Sequence, residues 1–212
     1  AARVTYGWNN RYNVELNGSY NGSEKFAEDN RFAMFGSGAL GWTISEESFF
    51  SFFKDNHYID MLKVRASLGV TGSDNFDALL HMDEWSVGGV SRMELSGAST
   101  NPFQWYRMSK LGNKDVHWES VRKFNFGIDY SLFEGLFAGS VEIFRDKRYD
   151  ILVNGSDRAT PSYFGMDVPV SNLGEVKARG YEVELRINKQ FNRNTRAWAN
   201  FSMTHNENKI IS

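Results

Sequence analysis

The sequence predicts an all-β protein of about eight antiparallel strands, patterned as the wall of a transmembrane β-barrel is patterned. Three observations carry this. Apolar and polar side chains alternate at every second residue in segment after segment, which puts one set on each face of a strand. The connections between these segments are by turns short and long. No apolar run approaches the roughly 18 to 20 residues that a membrane helix needs.

The segments follow in order. A loose alternation from Ala2 to Trp8 opens the series. From Tyr12 to Tyr20, Tyr12, Val14, Leu16, Gly18 and Tyr20 share one face, while Asn13, Glu15, Asn17 and Ser19 share the other. Arg31 to Ile44 is weaker. From Met61 to Thr71, Leu62, Val64, Ala66, Leu68 and Val70 face away from Lys63, Arg65, Ser67 and Thr71. The cleanest stretch, Lys123 to Leu132, sets Phe124, Phe126, Ile128, Tyr130 and Leu132 against Lys123, Asn125, Gly127, Asp129 and Ser131. Phe137 to Tyr149 is again weaker and carries Glu142. From Gly180 to Asn188, Tyr181, Val183, Leu185 and Ile187 oppose Glu182, Glu184, Arg186 and Asn188. Ala197 to Asn206 completes the set.

Asn9-Asn10-Arg11, Glu134-Gly135 and Asn192-Arg193-Asn194 are short connections, whereas 21–30, 72–122 and 154–179 are long. Ser45 to Asp60 is intermediate and has room for a short helix. Outer-membrane barrels put short turns on the periplasmic side and longer loops outside, on strands of about ten residues. Hydrocarbon gives backbone groups no hydrogen-bond partner, so with helices excluded only a closed barrel could cross it. Trp42, Phe133, Phe191 and Trp198 fall near short-turn ends, where aromatic rings favour a membrane interface. Alternation with one wet face equally describes a soluble antiparallel sandwich, and periodicity leaves both readings open.

Composition narrows the function classes. The chain is 41% hydrophobic and 24% charged with a formal net charge of -2, which favours neither disorder nor a nucleic-acid footprint. Aromatics at 15% with 19 glycines and 3 prolines suit many strands. Cysteine is absent, removing disulfides and thiolate metal sites. His57, His81, His117 and His205 show no metal spacing, and no catalytic grouping can be drawn, so neither a cofactor nor an enzymatic site is expected. No signal peptide opens the chain, so it is expected to be a portion of a longer one.

Four blocks in order resemble the SusC/RagA family of TonB-dependent transporters. The first runs from Asn21-Gly22-Ser23-Glu24-Lys25-Phe26 through Asn30-Arg31-Phe32 and Phe35-Gly36-Ser37 to Gly41-Trp42-Thr43-Ile44-Ser45-Glu46-Glu47. The second is Leu62-Lys63-Val64-Arg65-Ala66-Ser67-Leu68-Gly69-Val70-Thr71-Gly72. The third joins Leu111-Gly112-Asn113, Trp118-Glu119 and Asn125-Phe126-Gly127-Ile128-Asp129-Tyr130; the fourth is Asn172-Leu173-Gly174 with Gly180-Tyr181-Glu182-Val183. Gly36 departs from the proline usual there, which bears on local strand geometry.

The resemblance implies a barrel of roughly 22 strands with a plugged lumen, of which residues 1–212 would be about eight strands. The plug, the N-terminal region that contacts TonB and the remaining strands would lie outside it. Such proteins import oligosaccharides or peptides across the bacterial outer membrane under a SusD-like surface lipoprotein. On this reading the apolar face meets outer-membrane lipid, and Glu15, Lys63, Arg65, Asp129, Glu142, Glu182, Glu184 and Arg186 line the lumen. Trp85, Phe103, Trp105 and Tyr106, in the longest connection, are candidates for substrate or partner contact, since aromatic faces suit sugar rings. Rings of this kind also pack loops together, and Trp118 is expected to do so. The competing readings are a complete eight-stranded barrel acting as anchor or adhesin, and a soluble carbohydrate-binding sandwich.

Overall fold

The computed structural model describes residues 1–87 and 106–211. Eight strands form one antiparallel sheet: β1 (Ala2–Trp8), β2 (Tyr12–Gly22), β3 (Phe32–Thr43), β4 (Ile59–Ser73), β7 (Glu119–Leu132), β8 (Phe137–Val153), β9 (Ser171–Asn192) and β10 (Thr195–Ile210). Two short strands, β5 (Glu84–Val87) and β6 (Tyr106–Lys110), pair separately within the β4–β7 connection. Each alternating segment is a strand. The strand order in the large sheet is the chain order, and the sheet runs open from β1 to β10. Among the described residues the eight strands therefore neither close on themselves nor stack as two facing layers, which excludes both the small closed barrel and the sandwich.

All short connections lie at one end of the sheet. In the three-residue connection between β1 and β2, Asn9 and Asn10 both take left-handed backbone angles, φ 52 and 56, as the centre of a type I′ turn requires, and Arg11 N–H closes the turn on Trp8 O at 2.9 Å. Between β9 and β10 the Asn194 N–H donates to Asn192 Oδ1 at 3.0 Å, an Asx turn. The β3–β4 connection, at the same end, holds the short helix α1 (Ser51–Asp55), as its length suggested.

Several strands outrun their alternation. β9 begins at Ser171 rather than Gly180, and β8 and β10 reach Val153 and Ile210. The reason is physical: past the apolar belt the strands carry charges on the outward side or, as at Leu152, pack under the long connections, so the two-residue period fades while the ladder continues.

Register fixes the faces. Val64, Ile128, Val141, Val183 and Met203 lie level on one side of β4, β7, β8, β9 and β10. Much of this apolar side is open: Leu16, Leu40 and Phe201 are each about 60% exposed. The buried apolar cluster lies instead among the long connections, where Phe26, Leu80 and Val116 pack with Phe76, Trp118, Leu152 and Val170.

At the short-turn end of the apolar side, Tyr12 stacks between Trp8 and Trp42 at 5.8 and 6.3 Å. The Glu47 carboxylate accepts from the Tyr12 hydroxyl at 2.6 Å and from Trp42 Nε1 at 3.1 Å, with Arg11 at 3.4 Å. Trp42 and Phe191 lie on the apolar side, but Trp198 pairs with Asn188 and so shares the polar face, against the interface role expected of it. Trp8 and Tyr12 occupy that belt instead.

The Tyr12 hydroxyl first, then the Trp42 indole, hold the Glu47 carboxyl below its ordinary 4.5. A carboxyl whose pKa is depressed by folding contributes stability that is complete above the unfolded value and lost as pH falls through the folded one. Acidification below 4.5 should therefore weaken the Trp8–Tyr12–Trp42 stack. Near-ultraviolet circular dichroism of the full-length receptor checks this, and Glu47→Gln should flatten the acid transition.

Candidate functional site

The polar face carries a three-strand ion cluster. Arg65 on β4 bonds Asp129 on β7 through Nε at 3.2 Å and reaches Glu142 on β8 through Nη2. It can do so because Gly127 lies between: a Cβ there would sit 3.0 Å from the Arg65 guanidinium carbon. Lys63 stands directly opposite Asp129. Glu142 faces Glu182 across the β8–β9 ladder, and Glu184 holds Arg186 at 2.8 Å. On β2 the Glu15 carboxylate takes Arg3 at 2.7 Å and Asn17 at 2.8 Å. Register thus places all eight candidate polar residues on one face, and the structure adds Arg3 and Asn17, whose place in the alternation of β1 and β2 was the available signal.

The apolar face has a matching clasp. Tyr130 on β7 lies across Gly139 on β8, and its hydroxyl donates to the Glu184 carbonyl on β9 at 3.3 Å. A Cβ on Gly139 would come within 2.9 Å of that hydroxyl. A side chain at Gly139 would displace the ring.

Over the long-loop end the three long connections are bound into a cap. Lys25 donates through Nζ to the carbonyls of Asp74 and Phe76 at 2.9 and 3.0 Å, while the adjacent Phe26 is fully buried. Asn113 Nδ2 donates to Val170 O at 2.8 Å. Asn172 accepts from the His117 N–H at 3.1 Å and donates to the carbonyls of His117 and Asp150 at 2.8 and 2.7 Å. Asp150 has φ 58 at a break in the β8–β9 register, and Asn172 satisfies the carbonyl there. Trp118 packs on Phe26 and Phe35 at 5.2 and 5.6 Å. The motif residues Asn113, Trp118 and Asn172 thus staple and pack the loops together.

Of the four aromatic candidates, Trp85 and Tyr106 lie on the β5–β6 hairpin, where register puts them on one face with Val87 and Met108, and both rings are exposed. Phe103 and Trp105 lie outside the described residues.

Residues 1–210 match the family described as TonB dependent receptor-like, beta-barrel. The chain is 29% identical over 212 residues to TonB-dependent receptor P39 of Formosa agariphila, covering 99% of this chain and 19% of that protein. It is 27% identical over 211 residues to TonB-dependent receptor SusC of Bacteroides thetaiotaomicron, covering 98% of this chain and 20% of that one. It thus spans about a fifth of the length of these relatives. Among solved structures, the RagAB peptide transporter superposes with a TM-score of 0.81 at 22% identity, over 98% of this chain and 21% of that chain, a likeness of fold. Strand order, the two-faced wall and the match over nearly its whole length agree: the chain belongs to the TonB dependent receptor-like β-barrel family of the bacterial outer membrane.

Proposed function

We propose that residues 1–212 are eight consecutive wall strands of a larger barrel that imports oligosaccharides or peptides, energised by TonB and covered by a SusD-like surface lipoprotein. The plug, the TonB-contacting region and the remaining strands belong to the rest of that receptor. The observation that carries this reading is the segregation of side chains: eight contiguous antiparallel strands keep an apolar face and a charged face apart in one register. The apolar face meets lipid. The opposite face, from Glu15 and the Arg65–Asp129–Glu142 cluster to Glu182, Glu184 and Arg186, lines the lumen, where charges are hydrated or bound to a plug.

A relative named SusC and a fold neighbour known as the RagAB peptide transporter support import as the activity. Wall strands position and enclose; they make and break no covalent bonds. The Trp85 and Tyr106 face of the β5–β6 hairpin offers substrate or the lipoprotein two exposed rings on a capped, braced loop.

Uptake of fluorescent oligosaccharides and peptides by cells expressing the full-length receptor tests the proposal. One class should accumulate only when the receptor, TonB and the neighbouring lipoprotein are all present. Accumulation of neither class, or uptake unchanged without TonB, would overturn it.

A further inference from the structure

Toward the long loops, the apolar side of the wall changes character over one repeat of the strand. Phe126, Ile143, Tyr181 and His205 lie level on β7, β8, β9 and β10. Two residues farther on, the level row is Phe124, Arg145, Arg179 and Glu207, and the next is Arg122, Lys147, Lys177 and Lys209. Each of four adjacent strands thus contributes one cation to a single row.

Like charges directly opposite one another destabilise a ladder, so such a row calls for counter-charge. The protein supplies part of it. Glu175 lies 2.9 Å from Lys147 and 3.3 Å from Lys177, and Glu207 lies 2.7 Å from Arg179. Among the described residues Arg122 and Arg145 form no ion pair, and Lys209 shares with Arg179 the field of the single Glu207 carboxylate. The cations surround an open recess of about 600 Å³ with Phe124 in its lining.

Height decides what fills it. From Leu132, at the short-turn end of β7, to Arg122 is ten residues, which at about 3.4 Å each and a tilt of about 40° rise about 26 Å. The apolar band of an outer-membrane barrel is about 25 Å tall. Arg122 therefore stands where hydrocarbon gives way to headgroups on the long-loop side, and the row, crossing strands tilted by about 40°, spans about 9 Å of height from one end to the other. Strand spacing of about 4.8 Å spreads the row over about 14 Å, wide enough to meet two phosphates of one headgroup, and guanidinium groups favour phosphate oxygens.

We infer that this recess binds the phosphates of a glycolipid of the outer leaflet, whose acyl chains lie against Phe124, Phe126, Ile143 and Tyr181. The inference rests on the reading that this face meets lipid. Negative headgroups complete the charge balance the protein leaves open, and the receptor gains a fixed lipid neighbour along β7 to β10.

The test uses the full-length receptor in nanodiscs of phosphatidylcholine alone, with diphosphorylated lipid A, or with lipid A stripped of its phosphates. Native mass spectrometry reads the lipid retained. The wild type should hold diphosphorylated lipid A about tenfold or more over the stripped form, less so at high salt. Replacing Arg122, Lys147, Lys177 and Lys209 together by Gln should abolish that preference, while Arg122→Lys with Lys147→Arg, Lys177→Arg and Lys209→Arg should keep it. Equal retention of both lipids, or loss in the charge-keeping variant, would overturn the site. Competition by inorganic phosphate as strong as that by lipid A would make it a free-anion site, and a changed oligomeric state with unchanged lipid retention would make it a protein interface; either result rejects the lipid. Insertion into phosphatidylcholine without phosphate preference defeats this inference alone, whereas failure of the wild type to insert defeats the wall reading as well.

Discussion

Val183→Arg in the full-length receptor should cost about 2–4 kcal/mol of folding stability in lipid vesicles, the penalty for an arginine on the lipid face near the bilayer midplane. Val183 lies level with Val141 and Met203, two rows below the first cations on that side. One residue farther along β9 the chain crosses to the other face. Glu184→Gln should cost under about 1 kcal/mol, because it removes only an exposed ion pair with Arg186. Reversible denaturant titration of both variants measures the contrast. Equal costs would show that the two sides of β9 face the same medium.

The second large effect belongs to the loop cap. Phe26 is fully buried against Leu80 and Val116, at the meeting point of connections far apart in sequence. Phe26→Ala leaves a cavity, and substitutions of this kind cost about 3–5 kcal/mol. The loss should appear as faster amide exchange at Phe76, Leu80 and Val116, while exchange in the middle of β7 and β8 stays slow. Unchanged protection in the loops would show that the cap is held by something other than this cluster.

Strands that cross between two media write their geometry into the sequence. Leu62 to Val70 and Phe124 to Leu132 are legible because a polar face on one side and an apolar face on the other impose a two-residue period. Residues 171–179 carry no such period and so fall within a long connection on sequence alone: Glu175, Lys177 and Arg179 occupy the outward side of β9 above the belt, where no apolar requirement acts. The cap was hidden for a different reason. Phe26, Leu80 and Val116 meet through loop packing that follows no period, so their sequence positions carry no sign of contact. Asn113 and Asn172 stood out as motif residues, yet their carbonyl partners emerge only once the loops are placed. Glu47 lay inside a quoted motif as well, but its role needed the Tyr12 hydroxyl, which is distant in sequence. The polar set was readable by parity, and parity also condemned Trp198, which keeps step with Asn200 and Ser202.

Arg65 spans from β4 over Gly127 to β8, and Tyr130 spans from β7 over Gly139 to β9. Each works like a dowel driven through neighbouring staves of a cask, one from within and one from without. Sliding of one stave past the next would shear both, so β4, β7, β8 and β9 keep a single register and shift only as one plate.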